Sequence, residues 1–522
     1  MKSLGTTRRN RDFTAKRALV GLILLVAFVL RVWRLDIKPP HFDEGINGSF
    51  VVKMWHDGFY NYDPTNFHGP LYFYYLQLGE LLFGRSLVAM RFATGLFSVG
   101  ICYMIALHRR FFGTAAIWAS AIVAVSTGFV FYSRYAIHES MFIFLQLCFA
   151  YGYFLWRERP SIAAATWMTV GFFGTFAVKE TFFIFFVVWG IALLCEKFAQ
   201  SLFPTYDDWK PHHDETVEGE KKPALSDIIA VALLGAFFAV MAFTGFFMHP
   251  QGLTDMFRAF AFWTKTGTAP SGHDKEFTYW ITLMKLYEWP FLFSLAVSPI
   301  AFFFTGRRGR VLVLTAIGVW LAYSLIPYKT PWLIVNVLWP LAFVFGFFMR
   351  DMGAIFKKFR IGWLKPFAVL VVLWLIVMNL FTMNRLNFHD FTKVGEPYVY
   401  VQTTLQLKTV VDLINARVRK FPEDQNMKID VLNRDTWPMP WVFSLFPHVN
   451  YSAPIVADVF AAKVILIDES ARANVEKRLV GKYWVLPFQV RDSYEAGEAY
   501  LDYKMFEGFV PPTTPIYPRS EN

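Results

Sequence analysis

The sequence predicts an α-helical polytopic membrane protein carrying a small C-terminal α/β domain, and three observations predict it. Hydrophobic residues make up 55% of the 522-residue chain, with mean hydropathy +0.36. Charged residues are only 17%, against about 25% in soluble globular chains. Apolar runs long enough to cross a bilayer recur as far as about residue 384, and beyond it the composition is that of a soluble domain.

The runs come first. Eleven stretches of about 17–25 mostly apolar residues qualify as transmembrane helices, approximately 17–34, 86–107, 114–132, 140–156, 161–178, 181–197, 227–248, 286–305, 311–327, 332–350 and 366–384. The first has the basic head and short apolar core of a signal peptide. However, RVWRLDIKPP follows it without a small-residue cleavage site, so it reads as an uncleaved anchor. PLYFYYLQLGELLF, 70–83, is apolar but short, and reads as interfacial or re-entrant.

Basic residues test the list, because cytoplasmic connections concentrate Lys and Arg. The N-terminal tail carries Lys2, Arg8, Arg9, Arg11, Lys16 and Arg17 against Asp12. With that tail in the cytoplasm, the even-numbered connections should be basic. HRRFFG, WRERP, GRRGR and RDMGAIFKKFR all are, whereas 198–226, with His212–His213 in a solvated loop, is mixed. If 70–83 spanned, every later loop would change sides and the pattern would fail. The expectation is therefore a multi-pass protein of the cell (plasma) membrane, N-terminus cytoplasmic and C-terminus outside. The net charge of +11 is then explained by sidedness, without nucleic acid. The three cysteines all sit in apolar runs and offer no disulfide framework.

Two domains follow, 1–384 in the membrane and 385–522 outside it. In the second, PYVYVQTT, KIDVLN and AKVILID read as short buried strands, and YWVLPFQV as a further one. TTLQLKTVVDLINARVRK and ESARANVEKRL read as amphipathic helices, which predicts a mainly parallel sheet. PPTTPIYPRSEN is Pro-rich and reads as extended. Neither a Walker sequence nor a GxGxxG phosphate loop is present.

The odd connections share a character: each sets isolated ionisable groups on a short turn. They contain HFDEG and YDPTNFHGP, YSRYAIHES, VKET, the stretch 249–285, and PYKTP. Asp43 and Glu44 lie just beyond the first apolar run, where carboxylates are costly unless solvated, paired or used. A helix start is one use, since acids in a first turn complement the helix dipole. A site for a polar substrate attached to a lipid is another. In that site the aromatics of HGPLYFYYL, Tyr72 among them, would pack on sugar rings or isoprenoid.

LRVWRLDIKPPHFDEG, HGPLYFYYL, FYSRYAIHES, VKET and PYKTPW, in that order, resemble the GT-C glycosyltransferases. The protein O-mannosyltransferase and aminoarabinose-transferase types are similar, and a multispanning archaeal and bacterial group described as flippase-activity-associated is more similar still. The resemblance implies a GT-C-like, inverting transferase of hexose or pentose, with a polyprenyl-phosphate-linked sugar as donor. The acceptor would be a glycan, lipid or protein on the non-cytoplasmic face, beside the lipid bilayer. It implies Asp43 as general base, taking the proton of the attacking hydroxyl, with Glu44 orienting the site or holding a cation. His138 and Glu139 stand where related enzymes often carry a second acid. Arg134, Lys179 and Lys329 are the cations for the lipid phosphate, and each could instead snorkel at the interface. His68 would hydrogen-bond the donor sugar or cap the segment after it. Asp43, Glu44, His68, His138 and Glu139 together could hold a divalent cation.

No WWD-type triad is present, which argues against an oligosaccharyltransferase. A flippase or transport-associated protein that handles lipid-linked sugars without catalysis is the alternative. Transporters place ionisable groups mid-span, whereas here they cluster in outer loops.

Overall fold

The structure is a computed structural model that describes residues 2–66, 68–209, 222–268, 272–451 and 462–518, with side chains described from residue 14. His212–His213 lies outside the described residues. The chain divides into two compact units, one of Met1–Leu35 with Asp57–Asp390, the other of Asp36–His56 with Phe391–Asn522.

In the first unit the expected spans fall on helices, with 114–132 broken at Ser126 and 286–305 crossing a break at Glu288. Among the described residues, seven helices are long and apolar enough to cross a membrane, or eight if one bent pair counts as a single span. The bent pair is Thr114–Val125 with Thr127–Ser133, and two shorter apolar helices are Ile162–Val178 and Trp289–Phe304. The first helix, Lys2–Val32, carries the expected anchor together with the basic tail before it. Leu71–Phe83, at 13 residues, is too short to cross a hydrocarbon core of about 30 Å.

Ile334–Lys358 is the most buried of these helices and packs against Thr114–Val125, Trp289–Phe304 and Arg307–Leu325. The bent pair turns by 57° at Ser126. A break in a bilayer helix frees backbone groups that hydrocarbon cannot satisfy, and here side chains satisfy them. The Arg31 guanidinium donates to the carbonyls of Ala124 at 2.9 Å and Val123 at 3.1 Å, and the Asn379 amide donates to that of Val125 at 2.7 Å. On the other side of the break, Glu288 accepts from the Ser126 hydroxyl at 2.9 Å and from the Gly128 N–H. A cation thus meets the carbonyl end of one half-helix and a carboxylate the N–H end of the next, as their dipoles favour.

Alternate connections meet. Glu158 accepts from Arg110 at 2.8 Å and stands 3.9 Å from Arg308, while Glu196 accepts from Arg307 at 2.7 and 3.1 Å. The basic connections HRRFFG, WRERP and GRRGR therefore come together. At the opposite end of the 20-residue helix Glu139–Glu158, HGP, YAIHES and VKET meet through the pairs His68–Glu180 and Lys179–Glu139.

The second unit holds a six-stranded sheet of order β2-β1-β3-β5-β4-β6, with β1 Ile429–Leu432, β2 Val449–Tyr451, β3 Val464–Asp468, β4 Tyr483–Phe488, β5 Gly497–Asp502 and β6 Ile516–Tyr517. KIDVLN, AKVILID and YWVLPFQV are strands as expected. The sheet is mixed rather than mainly parallel: β1 pairs in parallel with β2 and β3, whereas the β3–β5, β4–β5 and β4–β6 pairs are antiparallel. PYVYVQTT is not a strand. Val401 has φ 48°, which breaks the extended backbone, and the following threonines take other work. Thr403 donates to the Pro40 carbonyl, and Thr404 caps the helix Leu405–Lys420 by accepting the Leu407 N–H. ESARANVEKRL gives only a short helix, Arg472–Glu476.

Candidate functional site

Both units carry parts of the expected site. In the second, Phe42–Asp57 is a helix with Asp43 and Glu44 in its first turn. Glu44 is fully buried, and its carboxylate accepts the His41 N–H at 2.8 Å, which closes the helix start as the acid of a capping box does. Asp43 points elsewhere, with 26% of its side chain exposed. The Asp43 N–H donates to Nδ1 of His41 at 3.1 Å, and Nε2 of His41 lies 2.8 Å from the Tyr400 carbonyl oxygen. A carbonyl can only accept, so Nε2 carries the proton and Nδ1 presents a lone pair. Burial, reinforced by the Asp43 charge, pushes the Tyr400 hydroxyl above its ordinary range.

The helix rests on the C-terminal segment of its own unit. A Cβ at Gly48 would lie 2.3 Å from the Trp441 ring, so only glycine admits that approach. Phe42 meets Trp437 edge-on at 6.5 Å, and the Arg491 guanidinium lies 4.6 Å over Phe42 while donating to Asp435 at 2.6 Å.

In the first unit the outer connections build a cluster. HGP enters it because the Gly69 N–H donates to the Val178 carbonyl at 3.1 Å, and a Cβ there would lie 2.2 Å from the Ala177 oxygen. His68, next to it, places Nδ1 2.9 Å from Glu180, and 26% of its side chain is exposed. The His138 ring sits 4.5 Å from His68 and 4.4 Å from Tyr72. The Tyr72 hydroxyl bonds Thr94 at 2.7 Å. Burial first, then the neighbouring His68 and Lys179, draws the His138 imidazole well below its ordinary range. Lys179 donates to Glu139 at 2.6 Å, with both side chains almost wholly buried.

Arg134 is not at the surface. Its guanidinium donates to the carbonyls of Leu30 at 3.2 Å, Trp33 at 2.6 Å and Arg34 at 2.9 Å, closing the C-terminal end of the first helix. Its charge also lies 4.7 Å over the Phe388 ring. Lys329 stands in PYKTP, which pairs with GHDK: the Lys329 N–H donates to the His273 carbonyl and the Lys275 N–H to that of Pro327, both at 3.0 Å. The Lys329 ammonium donates to the Lys275 carbonyl at 3.0 Å and the Ile326 carbonyl at 2.6 Å, and the residue is 1% exposed. Burial lowers its pKa, opposed by Asp274. Among the described residues, no group of three or more His, Cys, Asp and Glu side chains stands ready for a metal ion. Sequence reasoning passed over His41 and Glu180, although both lie inside the quoted motifs and are of donor or acceptor type.

Residues 21–249 match the family model described as dolichyl-phosphate-mannose-protein mannosyltransferase. No curated protein matches the chain in sequence. Among solved structures, the chain is similar to the crystal structure of ArnT from Cupriavidus metallidurans bound to undecaprenyl phosphate. That likeness has 14% identity and a TM-score of 0.55, over 95% of this chain and 98% of that one. The apo state of the same protein gives 14% identity and a TM-score of 0.57, over 94% and 98%. A mannosyltransferase family model over the first part of the chain and an ArnT-like architecture over nearly all of it place this membrane protein in the GT-C fold, as the order of its outer-loop motifs implies.

Proposed function

We propose that the chain is an integral membrane glycosyltransferase that moves a sugar from a polyprenyl-phosphate donor to an acceptor on the non-cytoplasmic face, with Asp43 as general base. The observation that carries this reading is the fold shared along nearly the whole chain with ArnT, whose structure holds undecaprenyl phosphate. The acceptor hydroxyl attacks the anomeric carbon and its proton passes to the Asp43 carboxylate. The new carbon–oxygen bond forms as the bond to the donor phosphate breaks, and polyprenyl phosphate leaves with the electron pair. Of the other candidate acids, Glu44 closes a helix start and Glu139 sits in a buried ion pair, and 26% of the Asp43 side chain is exposed. Tyr72, His68 and His138, grouped in one aromatic and imidazole cluster, suit the donor sugar. The test is reconstitution with synthetic undecaprenyl-phosphate hexoses and pentoses. Release of undecaprenyl phosphate with glycosylation of an acceptor is expected, and the panel also decides between hexose and pentose. Movement of intact donor across the bilayer without cleavage would establish the transport alternative instead.

Lys329 suits the leaving phosphate. Its ammonium has three N–H donors, two of them engaged by backbone carbonyls, and a phosphate oxygen would supply both a third acceptor and a countercharge. Lys329→Met should weaken binding of undecaprenyl phosphate by roughly 10- to 100-fold, the range of one charge-assisted hydrogen bond at about 1.5–3 kcal/mol. Unchanged binding by the variant would remove Lys329 from the phosphate site.

Sidedness is testable separately. The convergence of the basic connections at one end of the helices supports placing them together in the cytoplasm. A reporter fused after Asn522 should read as non-cytoplasmic, and one inserted in GRRGR as cytoplasmic. A cytoplasmic C-terminus would reverse the assignment of the outer loops.

A further inference from the structure

We infer that His41 is a positioning residue that fixes the Asp43 carboxylate for proton transfer, through a neutral imidazole strung between Asp43 and Tyr400. The inference rests on Asp43 being the base. His41 is 5% exposed, and both ring nitrogens are committed: Nε2–H donates to the Tyr400 carbonyl, and Nδ1 accepts the Asp43 N–H. The two bonds fix one tautomer. With its lone pair taken, Nδ1 stands 3.8 Å from Oδ2 of Asp43, too far for a hydrogen bond, so the ring holds Asp43 through its backbone.

The arrangement spans sequence distance. Tyr400 belongs to the stretch whose Gln402 and Thr403 donate to the carbonyls of Pro39 and Pro40, immediately before His41. The approach to Asp43 is thereby strapped at consecutive residues, and the His41 side chain reaches the Asp43 backbone from it. Misplacing a reacting group by about 1 Å can cost a hundredfold in rate, which is the scale such a strap protects.

Three variants test this in the full chain in lipid, beside Asp43→Asn, with transfer from a synthetic undecaprenyl-phosphate sugar as readout. Asn places an acceptor oxygen near the position of Nδ1, Gln places a polar group near Nε2, and Ala removes both. His41→Ala should lower kcat roughly 10- to 100-fold with the donor KM within twofold of the parent. His41→Asn should recover most of that loss and His41→Gln little of it. A parent-like kcat in His41→Ala, with Asp43→Asn inactive, would overturn the inference while leaving the base in place. So would equal losses in all three variants that track a lowered unfolding midpoint, since those mean a merely structural contact. Near-normal transfer by Asp43→Asn would instead remove the reading on which the inference stands.

Discussion

Asp43→Asn should reduce sugar transfer by roughly a hundredfold or more while the donor lipid still binds. General-base groups typically contribute about 10²–10⁴-fold, and Asn keeps the size of the side chain but has no comparable proton affinity. The helix start should survive, because Asn forfeits only the first-turn charge–dipole term of about 0.3–1 kcal/mol and because Glu44, not Asp43, closes it by accepting the His41 N–H. Glu44→Gln retains an acceptor there and should cost little activity. Glu44→Ala removes it and should destabilise the helix start by about 1 kcal/mol. The measurement is transfer and donor binding at equal amounts of inserted protein. Near-normal transfer by Asp43→Asn would return the pair to a structural role and move the search for a base to Glu139.

Lys179→Met should destabilise the protein by roughly 3–5 kcal/mol, because it leaves the Glu139 carboxylate buried without its cation. Glu139→Gln strands the ammonium in the same way. The double variant should regain most of the loss, since a neutral pair of similar volume carries no desolvation penalty. Unfolding midpoints of the three variants in matched lipid give the coupling directly. A stable Lys179→Met that fails only in donor binding would mean that the ammonium serves the phosphate rather than Glu139.

Much of the fold was legible in the sequence, and the reason is that a bilayer is a simple solvent. Runs such as 332–350 and 366–384 have one reading at that length and both lie on long apolar helices, whereas among the described residues seven or eight helices, not eleven, are long and apolar enough to span. The break at Ser126 was not legible: a Ser-Thr pair inside an apolar run looks ordinary, and its satisfaction comes from Arg31, Glu288 and Asn379, which are remote in sequence. The C-terminal sheet was half-legible. Strands such as AKVILID announce themselves by continuous apolar residues, but β5, GEAYLD, is half polar and carries the antiparallel pairing that no periodicity signalled. PYVYVQTT alternates as a strand should, and tertiary demands on Gln402 and Thr403 overrode it.

For the candidate site, the motifs name loops in which the structure pairs several ionisable groups, and the residue types alone could not say which group pairs with which. Arg134 looks like an anion ligand in sequence, yet its fork of donors is aimed at three carbonyls of a helix end. Glu180 and His41 were overshadowed by Lys179 and Asp43 beside them. A pairing between His68 and Glu180 spans 112 positions and leaves no local trace.

The composition of the second unit has a consequence for the living cell. Asp36–His56 and Phe391–Asn522 are one folding body interrupted by the remainder of the chain. The segment with Asp43 leaves the ribosome 357 residues (43 to 400) ahead of Tyr400, and further still ahead of Trp441, the residues that hold His41 and seat Gly48. A nascent or prematurely terminated chain therefore carries the carboxylate without the partners that orient it. On the reading proposed above, a partial product that lacks Tyr400 and Trp441 should transfer no sugar although it carries Asp43.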